Sequence, residues 1–211
     1  MQRLTNVQRH AIELMGFGGL LHVDCKWTEL DIIKKLAIDF DCDRKLAKFR
    51  GRKVQVTARD VGDVLGIPSS GRPVPTSDKK MLPRDVLEFN NISIPSLERH
   101  ITAGRLGDHF RRSFILYALT VLLCPTSRYG PTSKHLASVV DVSNPRDYNW
   151  AQYVLDWLCE GIQSFQVHGE KKNSIGGCVY FLMVRYALII IWIKNLMIIR
   201  YKLMLLLIVC Y

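Results

Sequence analysis

The chain lacks the residue spacings from which catalytic and metal chemistry is usually read. Its six cysteines, Cys25, Cys42, Cys124, Cys159, Cys178 and Cys210, form no C-x-x-C pair and no cysteine–histidine cluster of zinc-finger type. Free, mostly buried thiols in a reducing compartment are therefore expected. Gly16, Gly18 and Gly19 put three glycines into four residues, but neither G-x-x-x-x-G-K-[ST] nor a strand-borne G-x-G-x-x-G is present. A turn with close backbone packing is expected there, and no phosphate cradle. Asp39, Asp41 and Asp43 are spaced as D-x-D-x-D without the glycine and distal glutamate of an EF-hand loop, which makes them a solvated helix end. The first residues carry no long apolar core and no small-residue cleavage site, so no secretory leader is expected. Acid is also scarce. Against 29 lysines and arginines stand 19 aspartates and glutamates, a net charge of +10 that suits an acidic partner such as nucleic acid or an anionic membrane surface.

What is present is mostly helical pattern, organised around Val54 to Pro68, VQVTARDVGDVLGIP. Val54 and Val56 alternate with Gln55 in a short β-prone segment. Thr57 then stands as an N-cap with Asp60 three residues on, a capping box with aspartate in the usual place of glutamate. A helix is expected from Ala58, with Val61, Val64 and Leu65 on its apolar face and Gly66 and Pro68 as its stop. About two turns cannot stand alone in water, so this helix must dock on the rest of the chain.

The remaining helices follow in order. Leu4, Val7, Ala11, Leu14 and Met15 keep helical spacing. Thr28 opens a second helix whose stripe is Leu30, Ile33, Leu36 or Ala37, and Phe40. Residues 69–80, SSGRPVPTSDKK, read as a loop or a junction between two lobes. A weak helix covers Pro95 to Ala103. Asp108 is expected to cap a stronger one with Phe110, Phe114, Tyr117, Ala118, Val121 and Leu122 on its buried face. A short helix falls between Lys134 and Val140. Asn149 caps the best-formed helix, with Trp150, Val154, Trp157, Leu158 and Ile162 at helical spacing. The fold class is thus all-α, an irregular helical domain with a minor β-prone segment near 53–57.

Between Arg44 and Lys53 lie Arg44, Lys45, Lys48, Arg50, Arg52 and Lys53 with no acidic residue, and Phe49 is the one aromatic in the run. These six are the candidate nucleic-acid-binding residues, because a basic face that contacts phosphates releases counterions and binds in a salt-dependent way. No catalytic, cofactor-binding or metal-ligating residue is identified, and no cofactor is expected. From Ile175 onward the chain turns strongly apolar. Arg185, Lys194, Arg200 and Lys202 interrupt it, and no uninterrupted run reaches the ~20 residues of a bilayer span. A tilted span over 186–211 is the membrane alternative. Residues 187–211 otherwise read as an atypical apolar tail of the kind a truncated or mis-spliced gene model produces.

Five strings carry a resemblance: LTNVQRHAIELMGFGGLL (Leu4–Leu21), FDCDRKL (Phe40–Leu46), VTARDVGDVLGIPSSGRPV (Val56–Val74), YNWAQYVLDWL (Tyr148–Leu158) and IGGCVYFLMVRY (Ile175–Tyr186). As an ordered set they resemble the plant mobile domain, also labelled aminotransferase-like, in proteins of transposon ancestry. A similar helical region precedes cysteine protease domains of the ubiquitin-like-protease, or SUMO protease, type. The resemblance spans roughly Leu4 to Tyr186 and implies a non-enzymatic, nuclear module at 1–186 that binds nucleic acid or a nuclear protein. It carries no catalytic residue, and nothing in the chain matches a cofactor cup with a Schiff-base lysine. The alternatives are the N-terminal region of a ubiquitin-like-protein-specific cysteine protease whose catalytic domain is absent, and a tail-anchored membrane protein.

Overall fold

A computed structural model describes residues 4–23, 30–49, 51–76, 82–103, 106–126, 130–169 and 175–191. Nine α-helices are described: α1 (Asn6–Leu14), α2 (Leu30–Ile38), α3 (Ala58–Leu65), α4 (Arg84–Leu87), α5 (Ile94–Thr102), α6 (Asp108–Ala118), α7 (Ser133–Ser138), α8 (Trp150–His168) and α9 (residues 179–191). A small antiparallel meander, β1 (Phe40–Asp41), β2 (Leu46–Phe49) and β3 (Arg52–Gln55), lies between α2 and α3 in the order β1-β2-β3. The protein is therefore a mostly α domain with a minor β segment.

The central helix forms as its sequence dictates. The Thr57 hydroxyl accepts from the Asp60 amide, the Asp60 carboxylate accepts from the Thr57 amide at 2.8 Å, and Gly66 closes the helix in the left-handed conformation at φ 61°. Val61 and Leu65 are fully buried against α8. Backbone meets backbone where the helix stops: the Gly19 amide donates to the Gly66 carbonyl at 3.3 Å, and a methyl added to either glycine would overlap the other. The glycine-rich turn after α1 is thus a docking surface for α3. Gly19→Ala should cost about 2 kcal/mol, as overpacking does, whereas Gly51→Ala, whose added methyl meets nothing within 4 Å, should show only the ~1 kcal/mol strain of a positive φ. Urea denaturation of the two variants checks the contrast.

α1 is rotated from its expected face. Val7 and Leu14 are 64% and 59% exposed, while Gln8 and Ile12 are buried. The reason is the cap: Gln8 completes a capping box with Thr5 through its Oε1, and its Nε2 donates to the Ile101 carbonyl at the end of α5, 2.7 Å away. Two bonds on one amide hold a polar side chain inside. Gln8→Ala should destabilise the fold by about 2 kcal/mol, since the Ile101 carbonyl is left without its donor; thermal denaturation against Val7→Ala, expected near zero, reads it.

Other boundaries also moved. Thr28 lies outside the described residues, and Phe40, expected on the α2 stripe, is buried in β1. Of the aspartate trio, Asp39 closes α2, its amide donating to the Lys35 carbonyl at 3.1 Å, whereas Asp41 sits in β1 and its carboxylate accepts from the Arg44 amide, closing the turn into β2. At α6 the cap is Gly107 at φ 120°, with Asp108 as first helical residue paired to Arg111. α6 then runs into one π-turn over Leu119–Leu123, and Phe110, Phe114, Leu116, Leu119 and Leu123 are all buried. Asn149 caps α8 as expected, its side chain accepting from the Gln152 amide at 2.9 Å. Trp150 is fully buried and donates its indole N–H to the Pro145 carbonyl.

The 69–76 loop is tied to the start of α8. The Arg72 amide donates to the Asp147 carbonyl at 2.7 Å, and the Asn149 amide donates back to the Arg72 carbonyl at 2.8 Å. Residues before and after this loop share one buried cluster, from Ile12 and Leu65 to Phe114, Trp150 and Phe181. α9 enters over glycines: a methyl on Gly161 of α8 would overlap the Gly176 carbonyl, and one on Gly177 would press on Leu158. Among the described residues no helix is long and apolar enough to cross a membrane; the apolar stretch beyond residue 191 lies outside them.

Candidate nucleic-acid interface

The basic run folds into the β-meander, and the strands sort its cations. β2 and β3 pair antiparallel as Phe49↔Arg52, Lys48↔Lys53, Ala47↔Val54 and Leu46↔Gln55. Paired residues share a face and successive residues alternate. Lys48 and Lys53 therefore stand side by side on one face, and Arg52 falls on the other with Ala47, which packs against the core.

Lys48, Arg52 and Lys53 are exposed, and none of them has an ion-pair partner among the described residues. Arg44 is exposed in the β1–β2 turn, with its backbone held at both ends: the amide by Asp41 and the carbonyl by the Gln55 side chain. Lys45 is committed elsewhere. It takes a left-handed φ of 51° and sets its ammonium 2.7 Å from Asp156 on α8. Arg50 and the Phe49 side chain lie outside the described residues. The structure thus brings Lys48 and Lys53 together, leaves Arg44 and Arg52 nearby, and pairs Lys45 with Asp156.

One cation near this surface was legible only as an interruption of an apolar run. Arg185 of α9 reaches Asp60 of α3 at 2.7 Å, both side chains less than a quarter exposed. Between α9 and β3 lies an open groove of about 810 Å³, lined by Arg52, Lys53, Val54, Gln55, Arg185, Leu188 and Ile189. An arginine inside an apolar helical segment needs an acid, and that requirement was the available signal.

Four of the six cysteines are among the described residues. Cys42, Cys124, Cys159 and Cys178 are buried and free. Burial pushes the Cys42 thiol up to about 12 and the Cys124 and Cys159 thiols above their ordinary value. His135, also buried, is pushed down to about 4 by loss of solvent. Among the described residues no group of three or more histidine, cysteine, aspartate or glutamate side chains is arranged to hold a metal ion.

No curated protein and no solved structure matches the chain. A family model described as a domain of unknown function, DUF8566, matches residues 1–183. The alternating cations of the hairpin, the capped α3 and the tryptophan-anchored α8 all fall within that span, and the chain belongs to the DUF8566 family.

Proposed function

We propose that the protein is a non-enzymatic interaction module, of transposon origin and acting in the nucleus, that binds nucleic acid through the β2–β3 hairpin. One observation carries the reading. Lys48 and Lys53 are direct cross-strand neighbours, and like charges in that position destabilise a sheet. An unneutralised pair of this kind is what an anionic partner would stabilise. Phosphates supply the charge, and Arg44 and Arg52 extend it along the hairpin. The protonated, buried thiols support a non-catalytic role, because a thiolate is the form that reacts. The resemblance to the plant mobile domain supports the nuclear and transposon parts of the reading.

Lys53→Glu separates function from folding because the two should move in opposite directions. It turns a like pair into an opposite pair and should raise stability by about 0.5 kcal/mol, while binding to a duplex or single-stranded oligonucleotide at low salt falls at least tenfold. Lys48→Gln with Lys53→Gln should lower the slope of log affinity against log salt by about 2. Lys45→Gln should leave affinity unchanged, since that ammonium is held by Asp156. Affinity that survives both changes at 48 and 53 rejects the hairpin as the contact.

A further inference from the structure

The hairpin ends in an edge. In the order β1-β2-β3, β3 pairs with β2 on one side and with no described strand on the other. In an antiparallel ladder every second pair exchanges backbone bonds, and here these pairs are Phe49 with Arg52 and Ala47 with Val54. The Val56 amide continues that side by donating to the Lys45 carbonyl at 2.8 Å. Lys53 and Gln55 therefore turn their amides and carbonyls outward. Outside the strand ladder, no described residue bonds these backbone groups.

The groove beside α9 runs along this edge. All four β3 residues line it, and among the described side chains none of β2 does, which puts it at the free side of the strand. Its other wall is α9, which offers Leu188, 45% exposed, with Ile189 buried beside it and Arg185 at the same wall. Among the described lining residues are three cations and no acid, and of the three Arg185 is already paired with Asp60.

We propose that the outer edge of β3 accepts an added β-strand from a partner protein, an extended segment in which aliphatic and acidic residues alternate. An added strand bonds its backbone to Lys53 and Gln55 and turns alternate side chains to opposite sides. One set falls on the face of Arg52 and Val54, toward Leu188, and the other falls on the face of Lys53. Charge selects the occupant. Cations on a free edge repel a second copy of the same edge, and by the same repulsion they admit an acidic strand in preference to a neutral or basic one. The chain's own residues 192–211 hold Lys194, Arg200 and Lys202 and no acid, so their charge opposes this groove. A phosphate backbone would answer the cations and accept from the outward amides, but it offers no donor to the outward carbonyls and nothing apolar to the aliphatic wall. The inference does not depend on nucleic-acid binding, because Lys48 lies on β2, away from the edge.

The test uses the full chain and a fluorescein-labelled ten-residue peptide of alternating valine and glutamate, followed by anisotropy and by residue-resolved amide exchange. The Lys53 and Gln55 amides should exchange fast in the free protein and at least tenfold more slowly with saturating peptide. A peptide with lysine in place of glutamate should not bind. Leu188→Asp, at an exposed position, should weaken the acidic peptide at least tenfold. So should Lys53→Pro, which removes an outward amide that takes no part in the ladder. Lys48→Gln should change peptide affinity less than threefold while lowering oligonucleotide affinity, so that the two surfaces fail separately. Slow exchange of Lys53 and Gln55 before any peptide is added would show the edge already covered by the chain itself and would overturn the proposal. So would peptide affinity unchanged by Leu188→Asp and Lys53→Pro, or an oligonucleotide that protects these two amides when the peptide does not.

Discussion

Acidification from neutrality to about pH 4 is expected to cost the fold about 3 kcal/mol through one side chain, His135. An unfolded histidine takes up its proton near pH ~6.5. In the fold the ring is buried against Trp157, 4.7 Å between ring centroids, and its Nδ1 accepts from the Thr132 amide at the cap of α7. Burial pushes protonation down to about 4. Between those values the unfolded chain holds the extra proton, so stability is whole above about pH 6.5 and is lost as the pH falls. His100 is lowered in the same sense by desolvation and by His109 beside it, and adds to the loss. Asp141 does not act in this window. Hydrogen bonds from Ser143 and Tyr148 hold its carboxyl at about 2, so what it contributes is lost only in stronger acid. Urea unfolding at several pH values measures the effect. In His135→Leu the difference between neutral and acidic stability should shrink by about 3 kcal/mol; a difference as large as in the parent would place the titration on another group.

Asp60→Ala is expected to be the most damaging substitution at the groove, at about 4 kcal/mol. The carboxylate does two things at once. One oxygen accepts from the Thr57 amide and hydroxyl at 2.8 and 2.7 Å, and the other meets the Arg185 guanidinium at 2.7 Å. Loss of the cap costs ~1 kcal/mol. Stranding a half-buried guanidinium whose Nε already lacks a hydrogen-bond partner costs ~3 kcal/mol more. Thr57→Ala removes the cap alone and should cost ~1 kcal/mol. Asp60→Asn, which keeps an acceptor for the cap and gives up the charge, should fall between them. Guanidinium denaturation of the three variants orders them, and an Asp60→Ala no worse than Thr57→Ala would mean that the ion pair contributes nothing.

The helical frame could be read from the chain because its signals are local. Thr57 with Asp60, Asn149 before Trp150, and Gly66 after Leu65 each fix a boundary within a few residues, and the structure keeps all three. The face of α1 could not be read, because Gln8 is buried by a bond to Ile101, and no periodicity count credits a polar residue with a distant carbonyl. The strands were half legible. Val54 and Gln55 announced β3, but β1 and β2 owe their pairing to contacts across turns, and Phe40 fitted a helical stripe equally well. The basic run was visible as composition, while its division into Lys48 and Lys53 on one face, Arg52 on the other and Lys45 on Asp156 follows from register and from a residue on a distant helix. Leu188 and Ile189 read as part of an undivided apolar stretch, and only the position of α9 makes them a groove wall.

The seam at Gly161, Gly176 and Gly177 gives that wall its height. Because backbone rests on backbone there, α9 leaves the body of the protein at the least separation two chains can have. Any side chain acquired at 161 would lift the helix at its root, and the lever would move Leu188 and Ile189 away from β3. The groove's bore is thus calibrated away from its lining, by three glycines that are not among the residues lining it.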